Sequence, residues 1–156
     1  MLVKHFSALS CRMAPSKHNH VEAYLDIFDF EDLTHEQISE MLGLQPSRIH
    51  VKGQRHNPNF GRLAPRNRWM LQMYTKEGPW LNIEEQLDEL LALVTLRRVA
   101  FQQLAAHCKF AIKCAVKVYV QHNESTPAVF LEHRHVELLT FLQATFDVDI
   151  YCYATS

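Results

Sequence analysis

The sequence predicts an α+β domain: a ferredoxin-like α/β sandwich with a mixed sheet, helices on one face, and the order β-α-β-β-α-β-α-β. Three observations lead there. Apolar and polar residues alternate with period two in five segments, so each predicted strand has one buried and one wetted face. Capping signatures and helical apolar stripes fall between those segments. One-sided strands call for helices on one sheet face only, whereas a sheet covered on both faces reads as continuous apolar runs. With 156 residues, 47% apolar and 21% charged, the chain has enough material for one core and nothing that demands a second domain.

The elements follow in order. Apolar residues from Val21 to Ile27 alternate with His20, Glu22, Tyr24, Asp26 and Phe28, which gives the first strand. Thr34 with Gln37 three residues on is a capping box, Ile38, Met41 and Leu42 form a stripe, and Gly43 is the stop, so a helix runs over 35–42. Pro46 bars continuation, and Ile49 and Val51 alternate with Arg48, His50 and Lys52 as a second strand. After a polar loop holding Gly53, Pro58, Gly61 and Pro65, Trp69, Leu71 and Met73 mark a third strand with an inward indole. Asn82 and Glu85 repeat the capping signature before the stripe Ile83, Leu87, Leu90, Leu91 and Val94, and helical pattern resumes after Thr95 to about His107. Phe110, Ile112, Cys114, Val116, Val118 and Val120 share one face of a long fourth strand, opposite Lys113, Lys117, Tyr119 and Gln121. A helix with Val136, Leu139 and Leu142 follows, then a last strand with Val148, Ile150 and Cys152 inward and Asp147, Asp149, Tyr151 and Tyr153 outward.

Residues 1–19 lack periodicity and caps and are expected to be a disordered or misassigned leading segment, with Met13 as a second plausible start and 20–156 as the domain. Its apolar stretch is too short for a signal-peptide core, and no run reaches the length that spans a bilayer. Four irregularly spaced cysteines with no C-x-x-C pair suit reduced thiols in a cytoplasm.

The stretch Gly43-Leu44-Gln45-Pro46-Ser47-Arg48, then Lys52-Gly53, then Arg68-Trp69, resembles the bacterial domain-of-unknown-function family 4279 (DUF4279). The leucine-rich helix after Asn82 and the ending Asp147-Val148-Asp149-Ile150-Tyr151 are similar to that family as well, so the likeness covers about 21–153. One departure is Gln143, where members often carry glycine. The resemblance implies a fold and a bacterial origin, and no catalytic residue.

Charge is the most informative polar feature. Arg48, Lys52, Arg55, Arg62, Arg66 and Arg68 fall within one segment that holds no carboxylate, while the other ten basic residues face seventeen acidic ones. Guanidinium groups grip carboxylate or phosphate, so the segment is a candidate anion- or partner-binding site; the bland reading is a long loop that keeps itself solvated and pairs with the acidic helices of its own fold. Nucleic acid is disfavoured by a net charge of -1 and a pI near 6.8. No phosphate-cradling glycine motif occurs. The pairs His18/His20 and His133/His135 lack a metal-ligand pattern and read as solvated imidazoles, so neither metal nor cofactor is expected. Cys114 and Cys152 fall on apolar strand faces and read as packing thiols. Asp147 with Asp149 and Glu22 with Asp26 share faces, where Lys113 and Lys117 could neutralise them across strands.

Tyr24, Phe28, Tyr119, Tyr151 and Tyr153 predict an aromatic, charge-studded outer sheet face, the composition of interaction surfaces. The leading expectation is therefore a non-catalytic binding domain for a protein partner or a second copy, with an immunity-type role suggested by analogy. The alternative is a small enzyme or ligand-binding domain that holds an anionic substrate on Arg55, Arg62, Arg66 and Arg68, with His50 or His56 as acid or base.

Overall fold

Nine alternating residues, His20–Phe28, form β1, and their inward set Val21, Ala23, Leu25 and Ile27 is fully buried at the centre of the sheet. In the computed structural model, which describes residues 19–55, 61–73, 76–77, 83–120 and 128–154, nine further elements follow. They are α1 (His35–Leu42), β2 (Arg48–His50), β3 (Arg68–Gln72), β4 (Lys76–Glu77), α2 (Glu84–Leu96), α3 (Arg98–Leu104), β5 (Lys109–Val120), α4 (His133–Leu142) and β6 (Thr145–Ala154).

The strand order is β2-β3-β1-β5-β6, with β4 pairing the start of β1. β1 runs antiparallel to β3, Tyr24 opposite Gln72 through Phe28 opposite Arg68, and antiparallel to β5, His20 opposite Lys117 through Phe28 opposite Lys109. β2 adds antiparallel to β3. These four strands have the split arrangement of the ferredoxin-like sandwich, in which β3 lies between β1 and β2. β6 then joins β5 in parallel, a pairing that a hairpin cannot make and that α4 makes possible as the crossover.

The inward strand residues and the apolar stripes of the helices form one cluster, so the helices lie on a single sheet face. Trp69 is fully buried in it, and its indole N–H donates to Ser39 Oγ at 2.9 Å. α1 begins with the expected capping box, Thr34 accepting from the Gln37 amide and Gln37 from the Thr34 amide, and ends at Gly43 with φ 62°, which favours glycine.

Two buried polar side chains complete the packing. Gln86 of α2 reaches the gap between the β3 and β4 ladders: its Oε1 accepts from the Ala23 amide at 2.6 Å and its Nε2 donates to the Val21 carbonyl at 2.9 Å. Those two backbone groups of a central strand thus have partners where the ladder is interrupted. His135 is buried, against the solvated imidazole the sequence suggests. Its Nδ1 accepts from the Glu132 amide at 3.2 Å, which places the proton of the neutral ring on Nε2, 2.9 Å from Asp88 Oδ1.

Several elements differ from the sequence expectation. Two-residue β4 is too short to show a period. Residue 82, the expected cap, lies outside the described residues; α2 is capped by Ile83 with no side-chain bond. The second helix breaks at Arg97, whose guanidinium donates to the Leu42 carbonyl at 2.8 Å, and α3 ends at Leu104 rather than near His107. The buried stripe of α4 is His135, Leu138 and Leu142, while Val136 is exposed. Ile150 is 62% exposed and Cys152 is exposed, although both point to the helical face. The cause is length: α4 spans about 15 Å, and β6, of equal residue count, about 33 Å. Since α4 ends just before β6 begins, it reaches back only to about the middle of the strand. Of the leading segment, Asn19 alone is described; it is buried and accepts from the Tyr119 amide at 2.8 Å.

Candidate interaction surface

The face of the sheet turned away from the helices carries the even-numbered residues of β1 and their neighbours. On it Asp26 is only 2% exposed, because Arg68 reaches diagonally across from β3 to cover it. Arg68 Nε donates to Asp26 Oδ1 at 3.1 Å and Nη2 donates to Oδ2, a bidentate pair. Opposite Asp26 on β5 stands Ala111, whose small side chain leaves a floor between larger neighbours. The result is a groove of about 340 Å³, walled by Phe28, His50, Arg66, Arg68, Lys113 and Asp147.

Charges around the groove are held in place. Arg66 stacks over the Phe28 ring, 5.2 Å from its centroid, and Nη1 lies 3.3 Å from Asp29 Oδ1. Asp29 sits just beyond β1 at φ 57°, a left-handed conformation that aspartate tolerates, and it also meets Lys109 at 3.1 Å. Lys113 pairs with Asp147 at 3.6 Å, the expected cross-strand neutralisation.

Further along the face, Glu22 is a hub. Tyr24 donates its hydroxyl to Glu22 Oε2, His20 Nε2 lies 2.5 Å from Oε1, and Lys117 Nζ lies 3.5 Å away. Burial by itself would raise the Glu22 pKa, but the bonds from Tyr24 and His20 with the charge of Lys117 outweigh it and bring the carboxyl below its ordinary value. Burial, and then the adjacent Glu22, pushes Tyr24 well above the ordinary phenol range. Tyr119 and Tyr153 stack at 5.1 Å between centroids, and Tyr151 and Tyr153 are 46% and 42% exposed. The anticipated tyrosine face therefore divides: Tyr24 is tied into a polar network, and Tyr119, Tyr151 and Tyr153 gather near the far end of β5 and β6.

The basic segment divides as well. Arg68, Arg66 and Lys52 pair with Asp26, Asp29 and Glu31, three carboxylates on or just after β1 rather than on the acidic helices that the bland reading names. Arg48, Arg55 and Arg62 have no carboxylate partner among the described residues; Arg48 faces Met70 on β3, and Arg55 is drawn to Leu63 by a backbone bridge. His56 lies outside the described residues, while His50 lines the groove.

Cys108 adjoins His107, which meets Asp32 at 2.5 Å, but the thiol donates back to the Leu104 carbonyl at 3.0 Å. Burial, with a smaller effect of Asp32, pushes that thiol up to about 12; burial and Asp147 do the same for Cys114. Cys152, read from its face as a packing thiol, is exposed instead. No group of three metal-ligating side chains occurs among the described residues, and no described helix is long and apolar enough to cross a membrane.

Sequence reasoning missed the buried Asp26 and the floor residue Ala111. Both had a signal: a carboxylate on a strand whose inward face, Val21, Ala23, Leu25 and Ile27, is wholly apolar, and an alanine between lysines at an outward position of β5.

The family model described as Domain of unknown function (DUF4279) matches residues 17–153, nearly the whole chain, so the chain belongs to that family. No curated protein and no solved structure matches it significantly.

Proposed function

We propose that this DUF4279 domain is a non-catalytic interaction module that takes an acidic protein partner on its outer sheet face. One observation carries the reading. An uncovered sheet face bearing tyrosines and a groove is bordered by a basic segment in which Arg48, Arg55 and Arg62 meet no carboxylate among the described residues. Carboxylates on the partner complement those arginines, and the tyrosines supply flat apolar area with a polar tip. The anchored pairs Asp26–Arg68 and Lys113–Asp147 hold the groove rigid before binding, which lowers the ordering cost of association. Inert Cys108 and Cys114 thiols suit a reducing cytoplasm, and neutralisation of a toxin in a bacterial cell is the setting that analogy suggests.

The second reading is a small enzyme or ligand-binding domain, favoured by His50 standing with Arg66 and Arg68 around one groove. A thermal-shift screen of nucleotides, phosphates and small carboxylates separates the two. A ligand at one hundred times its dissociation constant stabilises by about 2.7 kcal/mol, which for a chain of this size raises Tm by roughly 5 to 11 °C. The interaction module predicts no such shift. A saturable shift that Arg68→Lys abolishes would transfer the groove to the second reading.

A further inference from the structure

The open edge of the sheet makes a separate argument, independent of the outer-face reading. β6 is ten residues long and among the described residues pairs with β5 alone, in unbroken register from Thr145 to Ala154. Edge strands of that length are ordinarily blunted by proline, by charged side chains and lysine above all, by a bulge or by a covering helix, and the only charges on β6 are Asp147 and Asp149. β6 contains neither proline nor lysine, its register shows no bulge, and α4 leaves its second half uncovered. On the helical face, Ile150 is 62% exposed although Val116 beside it on β5 is buried.

We propose that β6 pairs antiparallel with β6 of a second copy of this chain, with the two-fold axis at Ile150. The strand's own sequence selects that occupant and register. A continuous sheet that keeps both helical layers on one side requires outward residues to oppose outward residues, so the axis must pass through a residue position. An axis at Asp149 opposes Asp149 to itself, and one at Val148 opposes Asp147 to Asp149; like charges directly opposite destabilise a ladder. With the axis at Ile150, Asp149 faces the partner copy's tyrosine at 151 and Asp147 the tyrosine at 153, so each phenol can donate to a carboxylate. Ile150 then packs on its own counterpart and Val148 on Cys152, which covers the apolar stretch that α4 leaves bare. An axis at Tyr151 also avoids opposed carboxylates but pairs fewer residues and leaves the two isoleucines apart. The outer face stays open in this dimer.

Light scattering across micromolar concentrations gives the first readout, with circular dichroism as the folding control. The wild type is expected to approach twice its monomer mass, and Ile150→Lys, which alters no buried residue, to remain a folded monomer. The second readout is register. In a Cys152→Ser background, Ile150→Cys should form a disulfide-linked dimer on mild oxidation, because directly opposed Cα atoms lie within disulfide reach. Asp149→Cys in the same background should not. A wild type that is monomeric throughout overturns the proposal and leaves the outer-face reading standing. So does a dimer that Ile150→Lys leaves intact, or one that cross-links at Asp149→Cys and not at Ile150→Cys.

Discussion

Replacing Gln86 by leucine removes two hydrogen bonds while nearly conserving volume, which isolates what the buried amide contributes. Both partners, the Ala23 N–H and the Val21 carbonyl, belong to central strand β1, and Gln86 is fully buried, so water cannot substitute. Each orphaned backbone group costs about 1 to 3 kcal/mol, and burial of the leucine side chain offsets part of that, for a net loss of about 2 to 4 kcal/mol. For a domain of this length the loss lowers Tm by roughly 4 to 16 °C. Denaturant unfolding gives the free energy, and amide exchange gives the location: the Ala23 amide should exchange far faster in the variant than in the wild type. A loss under about 1 kcal/mol with Ala23 still protected would refute the reasoning, because it would mean the ladder gap closes without the glutamine.

Other perturbations read other parts of the structure. Arg68→Ala should destabilise by about 3 to 5 kcal/mol, since it leaves the buried Asp26 carboxylate without its counter-charge; adding Asp26→Ala should recover much of the loss, as measured by denaturant unfolding. Glu22 has a folded-state pKa below the ordinary 4.5, so its contribution is present above that value and is lost as pH falls through the depressed one. Acid titration of stability should therefore show a shallower decline below about pH 4.5 for Glu22→Gln than for the wild type. In the Ile150→Lys variant, where no second copy covers the strand, iodoacetamide should label Cys152 quickly and spare Cys108 and Cys114, which burial holds near 12, with peptide mass mapping as the readout.

The framework was legible in the sequence because period-two alternation and capping boxes are local signals. β1, α1 and β5 came out nearly to the residue, and the parity of Lys113, Asp147, Tyr151 and Tyr153 placed them on the outer face as found. What failed depends on contacts distant in sequence. Gln86 on α2 reads as an ordinary polar helix residue until the gap in the β1 ladder is known. His135 reads as solvated until Asp88 and the Glu132 amide are brought beside it. Ile150 and Cys152 have the right parity for a core, but parity does not say how far a neighbouring helix extends. The basic segment looked like one site by composition; three members serve the fold's own carboxylates, and the groove they border owes its floor to Ala111.

The most direct test of the interaction reading is calorimetric titration of the chain with a panel of acidic proteins, using wild type and an Arg48→Glu/Tyr151→Lys double variant. Both changed positions lie outside the core, so the variant should fold, as circular dichroism can verify. The account predicts saturable binding that weakens as salt is raised, through screening of the arginine–carboxylate contacts, and that the double variant loses. Binding of equal strength by wild type and variant, indifferent to salt, would contradict it.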